Sequence, residues 1–444
     1  MLQNKTLLQM SKMRLLVIHN FMARENSNSN QDSLVEKPIQ PIVEDKKIFG
    51  LNKNIFTLGL TSFFNDFSNE MILASFPAFF TTVLKSGAAS LGLVEGIADG
   101  MANFLKIYSG NLSDRIQKHK IFIFLGYGLS VATRPFYIFT GSVGAVLGLR
   151  AIDRVGKGLR EPPRDVIISA SVPRDQVGRS FGYHRALDRA GGILGPLAAY
   201  LILSRWENGF NIIFISAFLL GILAVMMIFF VTDIVTAKTD GGHKLLSKAT
   251  YTTLPQSFRF YLLAIFLLSL GSLPTAVLLL KTTSIGLVVA SIPLFYMVYS
   301  ISYSGFSYIS GKLSDLKGST RILMFGYLAL IASYIGISFA QNYWLLILSF
   351  VVLGIFSATT DAAQRAHTSR VVDLQLRGTA FGLLNASIGF GAMFAGIIGG
   401  YIWQNVGPMT AMVIASISVS IGLIIVQISL LMKHQERKLK GIDE

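Results

Sequence analysis

Cysteine is missing from all 444 residues, which excludes a disulfide framework, a thiolate metal site and thiol catalysis. Charge is scarce: Asp, Glu, Lys and Arg make up only 14% of the chain, against about 25% in ordinary soluble domains. The six histidines are scattered without metal-ligand spacing, so no metal or other cofactor is expected. Phosphate-binding loops, nucleophile triads and metal clusters are also missing, which argues against an enzyme. The alternating ten-residue segments of a β-barrel do not occur either. What remains is apolar, with a hydrophobic fraction of 52% and a mean hydropathy of +0.55. Soluble cores cannot absorb that much apolar surface, so the chain is expected in lipid.

After residue 54 the chain is a succession of apolar segments, each close to the ~20 residues that span a bilayer as a helix. Twelve are read, at 55–84, 89–109, 120–140, 143–171, 179–203, 209–232, 259–280, 286–309, 321–340, 343–369, 379–404 and 409–431. The widest polar interruption, Thr236 to Ser257, divides six spans from six. The expected organisation is a tail at 1–50, a six-helix bundle at 51–233, a linker at 234–258, a second bundle at 259–432 and a tail at 433–444. The tail at 1–50 reads as disordered, its one apolar piece, Leu15 to Ile18, being too short for a signal-peptide core. The formal net charge is +15. Nucleic acid is not the expected partner, because the basic residues gather after the even-numbered spans and after the last. That pattern puts both termini in the cytoplasm.

The two halves repeat one another. Tyr108-Ser109-Gly110-Asn111-Leu112-Ser113-Asp114 is echoed by Ile309-Ser310-Gly311-Lys312-Leu313-Ser314-Asp315. Each reads as a polar turn between apolar segments, followed by a basic patch. Gly178-Arg179-Ser180-Phe181-Gly182 is likewise echoed by Gly378-Thr379-Ala380-Phe381-Gly382. Two segments repeated at nearly one spacing indicate a duplicated membrane unit.

From about residue 50 onward the chain resembles the major facilitator superfamily. The family's loop signature G-x-L-x-D-R matches Gly110 to Arg115, and the second copy, Gly311 to Asp315, continues with Leu316 in place of the arginine. The span-4 signature resembles Arg154-Val155-Gly156-Lys157-Gly158. The span-5 signature associated with antiporters, G-x-x-x-G-P, matches Gly191 to Pro196, with Ala198-Ala199 where a Gly-Gly usually follows. The stretch from Gly156 to Asp165 resembles a bacterial branch mostly labelled drug or siderophore efflux. The resemblance implies an all-α membrane fold of twelve helices in two pseudo-symmetric six-helix bundles. It also implies a monomeric inner-membrane carrier working by alternating access on a small-molecule substrate.

Ionisable residues in a bilayer are costly and mark function or mutual pairing. Nearly all of them lie in spans 1 to 5. Eight are acids (Asp66, Glu70, Glu95, Asp99, Asp153, Glu161, Asp165, Asp188) and nine are bases (Lys106, Arg134, Arg150, Arg154, Lys157, Arg160, Arg164, Arg185, Arg189). That near balance favours a neutralising network over a bare cationic pocket. Asp66 and Glu70 are four residues apart on one helical face, where one shared proton is favoured over two bare charges. With Asp188 they are the proposed proton-coupling groups. The alternative is salt bridges from Asp66 and Glu70 to arginines of span 4 or 5. Substrate contact is expected from Arg154, Lys157, Arg160, Arg185, Glu95, Asp99 and Asn65. Gly110, Asp114, Arg115, Gly311, Asp315, Gly191, Gly195 and Pro196 are the candidate conformational switch. Pro162-Pro163 should interrupt or kink span 4. Asp361 and Arg365 should pair, and the second half is otherwise expected to contribute shape.

The activity expected is proton-driven export of a small organic molecule such as a drug, metabolite or siderophore. Two alternatives stand beside it: a carrier importing or exchanging an organic anion or phosphate ester, and a transport-inactive membrane sensor.

Overall fold

The computed structural model describes residues 47–48, 50–116, 118–173, 176–206, 208–234, 254–372 and 377–439. The expected N-terminal tail, apart from its last residues, and most of the expected linker lie outside these residues. A two-stranded antiparallel ribbon, β1 (Lys47–Ile48) and β2 (Leu51–Asn52), turns on Gly50 at φ 78°. Twelve long helices follow. In the first half they are α1 (Lys53–Thr82), α2 (Ala88–Ile116), α3 (His119–Thr133), α4 (Val143–Ala170), α5 (Val177–Arg205) and α6 (Phe210–Ile228). In the second half they are α7 (Gln256–Leu270), α8 (Ile292–Lys317), α9 (Ser319–Phe339), α10 (Tyr343–Val371), α11 (Arg377–Asn405) and α12 (Pro408–Leu439).

Eight of these segments are long and apolar enough to cross a membrane by length and composition. The other four are α1, α2, α4 and α8. The first three carry most of the intramembrane charge, and α8 carries a tyrosine–serine stripe. Large apolar side chains such as Leu201, Leu219, Phe229 and Leu328 stay more than half exposed on the outside of the bundle, as lipid-facing residues do.

Three expectations change. The repeated Gly-x-Leu-Ser-Asp segment is not a turn: Tyr108 to Asp114 continue α2, and Ile309 to Asp315 continue α8. Polar residues at a helix end leave the apolar slab without leaving the helix, and α8 stops only at Gly318, whose φ is +91°. Span 7 is not continuous. The helix breaks at Gly271 and resumes as a short piece, Thr275–Leu279, behind Pro274. Buried Tyr334 satisfies the break: Leu273 N–H donates to its hydroxyl (2.8 Å), which donates to the Gly271 carbonyl (2.9 Å).

Pro162-Pro163 does not interrupt α4, which remains helical from Val143 to Ala170. A proline at 162 cannot donate to the carbonyl of residue 158. The Ser109 hydroxyl of α2 donates to that Gly158 carbonyl instead, at 2.6 Å in a buried site. A motif residue thereby replaces the backbone donor that proline removes.

Within the first half α1 packs on α5 and α6, and α4 on α2 and α3; within the second, α10 packs on α8 and α9, and α7 on α11 and α12. The halves meet mainly along α2–α11 and α5–α8. The α2–α11 seam needs glycine. A Cβ on Gly92 would strike the Gly396 carbonyl, and one on Gly400 would lie 2.6 Å from the Ala88 carbonyl. Such close backbone approach is the usual route to dispersion contact between membrane helices. At the same end Ala89 N–H donates to Gln404 Oε1 (2.9 Å).

Two outcomes are expected. Ser109→Ala should lower stability by about 1 kcal/mol, read by thermal unfolding of the purified protein. The same change on a Pro162→Ala background, where residue 162 regains its N–H, should cost much less; equal costs would mean that Ser109 does not serve the proline. The double variant Ala89→Cys, Gln404→Cys has no native cysteine to compete with it. A short thiol cross-linker should join α2 to α11 in most molecules, and no cross-linking would contradict the seam.

Candidate functional site: a charged cavity between the two halves

A cavity of about 1120 Å³ lies between the halves, lined by α1, α2, α4 and α5 on one side and by α8, α10 and the start of Thr275–Leu279 on the other. Its lining runs from Glu70, Glu95 and Tyr296 at mid-bundle to Lys106, Asp165, Phe181 and Tyr308 toward the end where the described chain begins and finishes. Exposure rises along this path, from Glu95 at 4% to Tyr308 at 80%. The α2–α11 glycine seam closes the opposite end.

Closest to the sealed end, the ionic groups are satisfied. Arg150 Nε and Nη2 donate to the two carboxylate oxygens of Glu95 (2.9 and 3.0 Å), Nη1 donates to Asp153 (3.1 Å), and the guanidinium lies over the Phe76 ring. Glu95 lines the cavity but is committed to Arg150. Toward the open end, Lys106 pairs with Glu161 at 2.8 Å, and Arg164 with Asp165 at 3.1 Å. Arg160 donates to Ser130 (2.6 Å) and stacks on Tyr127. Arg134, on the far side of α1, donates to Asn65 Oδ1 (2.8 Å). Arg185 lines the cavity as an exposed side chain.

Two groups are not satisfied in this way. Arg154 is buried, yet among the described residues it makes no hydrogen bond; its acids, Asp99 and Asp153, are 3.8 and 3.9 Å away. Lys157 lies 3.8 Å from Glu161, which Lys106 already holds. Facing them on α1 and α5 are Asp66, Glu70 and Asp188, all lining the cavity. Among the described residues none has a cation within 4 Å, so the expected alternative of salt bridges to span-4 or span-5 arginines is not what forms. Asp66 accepts from Asn65 (3.1 Å) and lies beside Asp188. Glu70 accepts from Asn69 (3.0 Å) and, across the two halves, from the Tyr296 hydroxyl (2.6 Å).

The second half contributes more than shape, contrary to expectation. Tyr303 receives the Arg189 guanidinium on its face (3.6 Å to the centroid), and its hydroxyl donates to Asp361 (3.4 Å), which pairs with Arg365 (3.3 Å). Tyr296 and Tyr303 are the residues that sequence reasoning undervalued. Their signal was the recurrence Tyr296, Tyr299, Tyr303 along one face of a helix. His184 is structural, sharing a 2.7 Å hydrogen bond with Ser62.

Gly191, Gly195, Pro196, Gly311 and Asp315 of the candidate switch do not line the cavity. Gly191 and Gly195 press α5 onto the α1 backbone at Phe63 and Phe67, with Pro196 following inside the helix. That contact makes the G-x-x-x-G-P signature a packing surface. Gly110 and Gly311 sit within α2 and α8, and Asp315 accepts from Arg370 of α10 at 2.7 Å. The side chains of Asp114 and Arg115 lie outside the described residues.

Comparison with known proteins agrees with this architecture. The profile of the Major Facilitator Superfamily matches residues 58–339 and again 260–443. An uncharacterized MFS-type transporter of Methanocaldococcus jannaschii is 32% identical over 382 residues, covering 84% of this chain and 94% of that protein. The quinolone resistance protein NorA of Staphylococcus aureus is 25% identical over 403 residues, covering 88% and 99%. The crystal structure of a variant of the nucleoside transporter NupG superposes with a TM-score of 0.72 at 17% identity, over 85% of this chain and 99% of that one. The chain belongs to the Major Facilitator Superfamily, as a multi-pass membrane transporter of a small molecule rather than an enzyme.

Proposed function

We propose that this transporter exports a small organic molecule in exchange for protons, as a monomer in the bacterial inner membrane with both termini cytoplasmic. The observation that carries the reading is the carboxyl group set on α1 and α5. Asp66, Glu70 and Asp188 face the cavity without a cation within 4 Å among the described residues, and Asp66 and Asp188 are adjacent. A pair that holds one proton in one state and releases it in the other is the least machinery a proton-driven cycle requires.

Glu70 links that set to the opposite half through Tyr296. With the chain ends on the cytoplasmic side, the cavity faces the cytoplasm and the α2–α11 seam closes the outer end. Substrate enters beside the carboxyl groups and displaces the proton. The halves then rock about the α2–α11 and α5–α8 contacts. A proton arriving from outside displaces the substrate and resets the cycle. Export as the direction also draws on the resistance activity named for the Staphylococcus aureus relative.

The test uses everted vesicles with a pH-sensitive dye. Adding an exported compound should release protons from energised vesicles. Asp66→Asn or Asp188→Asn should lower proton-driven flux at least about tenfold while substrate-for-substrate exchange at saturating substrate persists, because the variants lose the coupling and not the cavity. Transport without any accompanying proton movement would overturn the reading.

A further inference from the structure

We infer that the substrate is zwitterionic: an oxyanion, carboxylate or phosphate, seats on Arg154 and Lys157, while its ammonium faces Asp66, Glu70 and Asp188. This deepens the exporter reading and rests on it for the identity of the site.

The oxyanion end follows from Arg154. Its side chain is 4% exposed and lines the cavity, its Nε is enclosed without a partner, and it forms no hydrogen bond. Buried guanidinium groups in folded proteins are normally saturated, because an unused donor away from water is costly. Arg150, one turn earlier on the same helix, shows the saturated case, with a bidentate carboxylate. Neither acid near Arg154 is free to do the same. Asp153 already accepts from Arg150, and Asp99 is nearly half exposed at 3.8 Å. Lys157 lies one residue short of a turn further along α4, and the acid within 4 Å of it among the described residues, Glu161, is held more closely by Lys106. A planar fork with an ammonium beside it is the donor set that a carboxylate or phosphate takes up.

The ammonium end follows from the facing wall, where three carboxyl groups have no cation within 4 Å among the described residues. The two ends are neighbours, since Glu70 lies within electrostatic reach of both Lys157 and Arg154. The body between them would rest on Tyr296 and Tyr299, whose ring centroids are 5.6 Å apart. An ammonium on the carboxyl groups competes with protons, so this polarity agrees with exchange. A lone anion at Arg154 would instead sit opposite Glu70 and favour a proton there.

The experiment measures binding, by thermal stabilisation of the purified protein, with four probes of one shape. They are 4-(aminomethyl)benzoate, its phosphonate counterpart, 4-methylbenzoate (anion only) and 4-methylbenzylamine (cation only). At least one zwitterion should bind about tenfold or more tightly than either singly charged analogue, and the carboxylate and phosphonate arms identify the oxyanion. Arg154→Gln should reduce the zwitterion to the affinity of the cation-only probe and leave that probe unchanged. Asp66→Asn should reduce it toward the anion-only probe. Where Arg154→Gln fails to fold, Lys157→Gln should still weaken the zwitterion severalfold.

No stabilisation by either zwitterion at millimolar concentration, or a cation-only probe binding as tightly with Arg154→Gln changing nothing, would overturn the inference. Proteoliposomes separate this failure from failure of the exporter reading. Proton-driven flux of a singly charged cation, indifferent to Arg154, would sink the zwitterion and leave the exporter. Zwitterion binding without proton-linked flux would do the reverse.

Discussion

A guanidinium buried among apolar helices must be matched by acids, and the Arg150–Glu95–Asp153 cluster meets that demand inside this bundle. Removing one partner of such a group strands the other, at a cost of about 3–5 kcal/mol. The cluster therefore fixes the relative placement of α2 and α4, and the Phe76 ring over Arg150 brings α1 into the same contact. Once those three helices are set, their remaining charges can only point into the space between the halves. That is why α1, α2 and α4 fall short of the apolarity of ordinary spans while α6 and α9 do not.

Satisfaction then falls off in a definite direction. At the sealed end every donor of the cluster has an acceptor, whereas at mid-cavity Arg154 has none within hydrogen-bond distance. Asp66 and Glu70 across from it accept from neutral Asn and Tyr donors instead of cations. A network with more tightly paired ions would be more stable and less useful, because a substrate would have to break salt bridges to enter. The tyrosines of α8 complete the arrangement. Through Glu70–Tyr296 and Arg189–Tyr303 the charged half touches the other half by groups that hydrogen-bond or stack, contacts that can be released without stranding a charge.

Twelve helices, their six-plus-six division and the concentration of charge in the first half were legible because apolar length and charge count are properties of the chain itself. The cavity-facing position of Asp66, Glu70, Arg154 and Lys157 was legible from helical spacing. Partner choice was not. Asp66 and Glu70 had cationic candidates within the same half, yet Glu70 pairs with a tyrosine 226 residues away, a contact set by how the halves dock. The repeated motif was misread as a turn because its glycine, serine and aspartate favour turns. Those preferences are weak beside the gain from extending a packed helix. The double proline was misread for a similar reason, its donor being supplied from another helix.

That last contact explains how two copies of one motif came to differ. Ser109 and Ser310 occupy equivalent places in the two repeats, 201 residues apart like Gly110 and Gly311. Ser109 donates across to the Gly158 carbonyl of α4, whereas Ser310 donates to Phe306 of its own helix (2.7 Å). The N-caps of α4 and α10, Ser142 and Asn342, are 200 residues apart, and that offset places Ala362 of α10 opposite Pro162 of α4. Alanine keeps its N–H for the preceding turn, so α10 offers no carbonyl in need of a donor, and the second serine turns back on its own backbone. In the first half the prolines sit within the run from Arg154 to Asp165 that lines the cavity, and the serine that replaces their lost donor belongs to the signature shared by both halves. The motif thus has a use in the first copy that the second cannot have. Its serine there ties the end of α2 to the charged stretch of α4, so a movement of one is carried to the other.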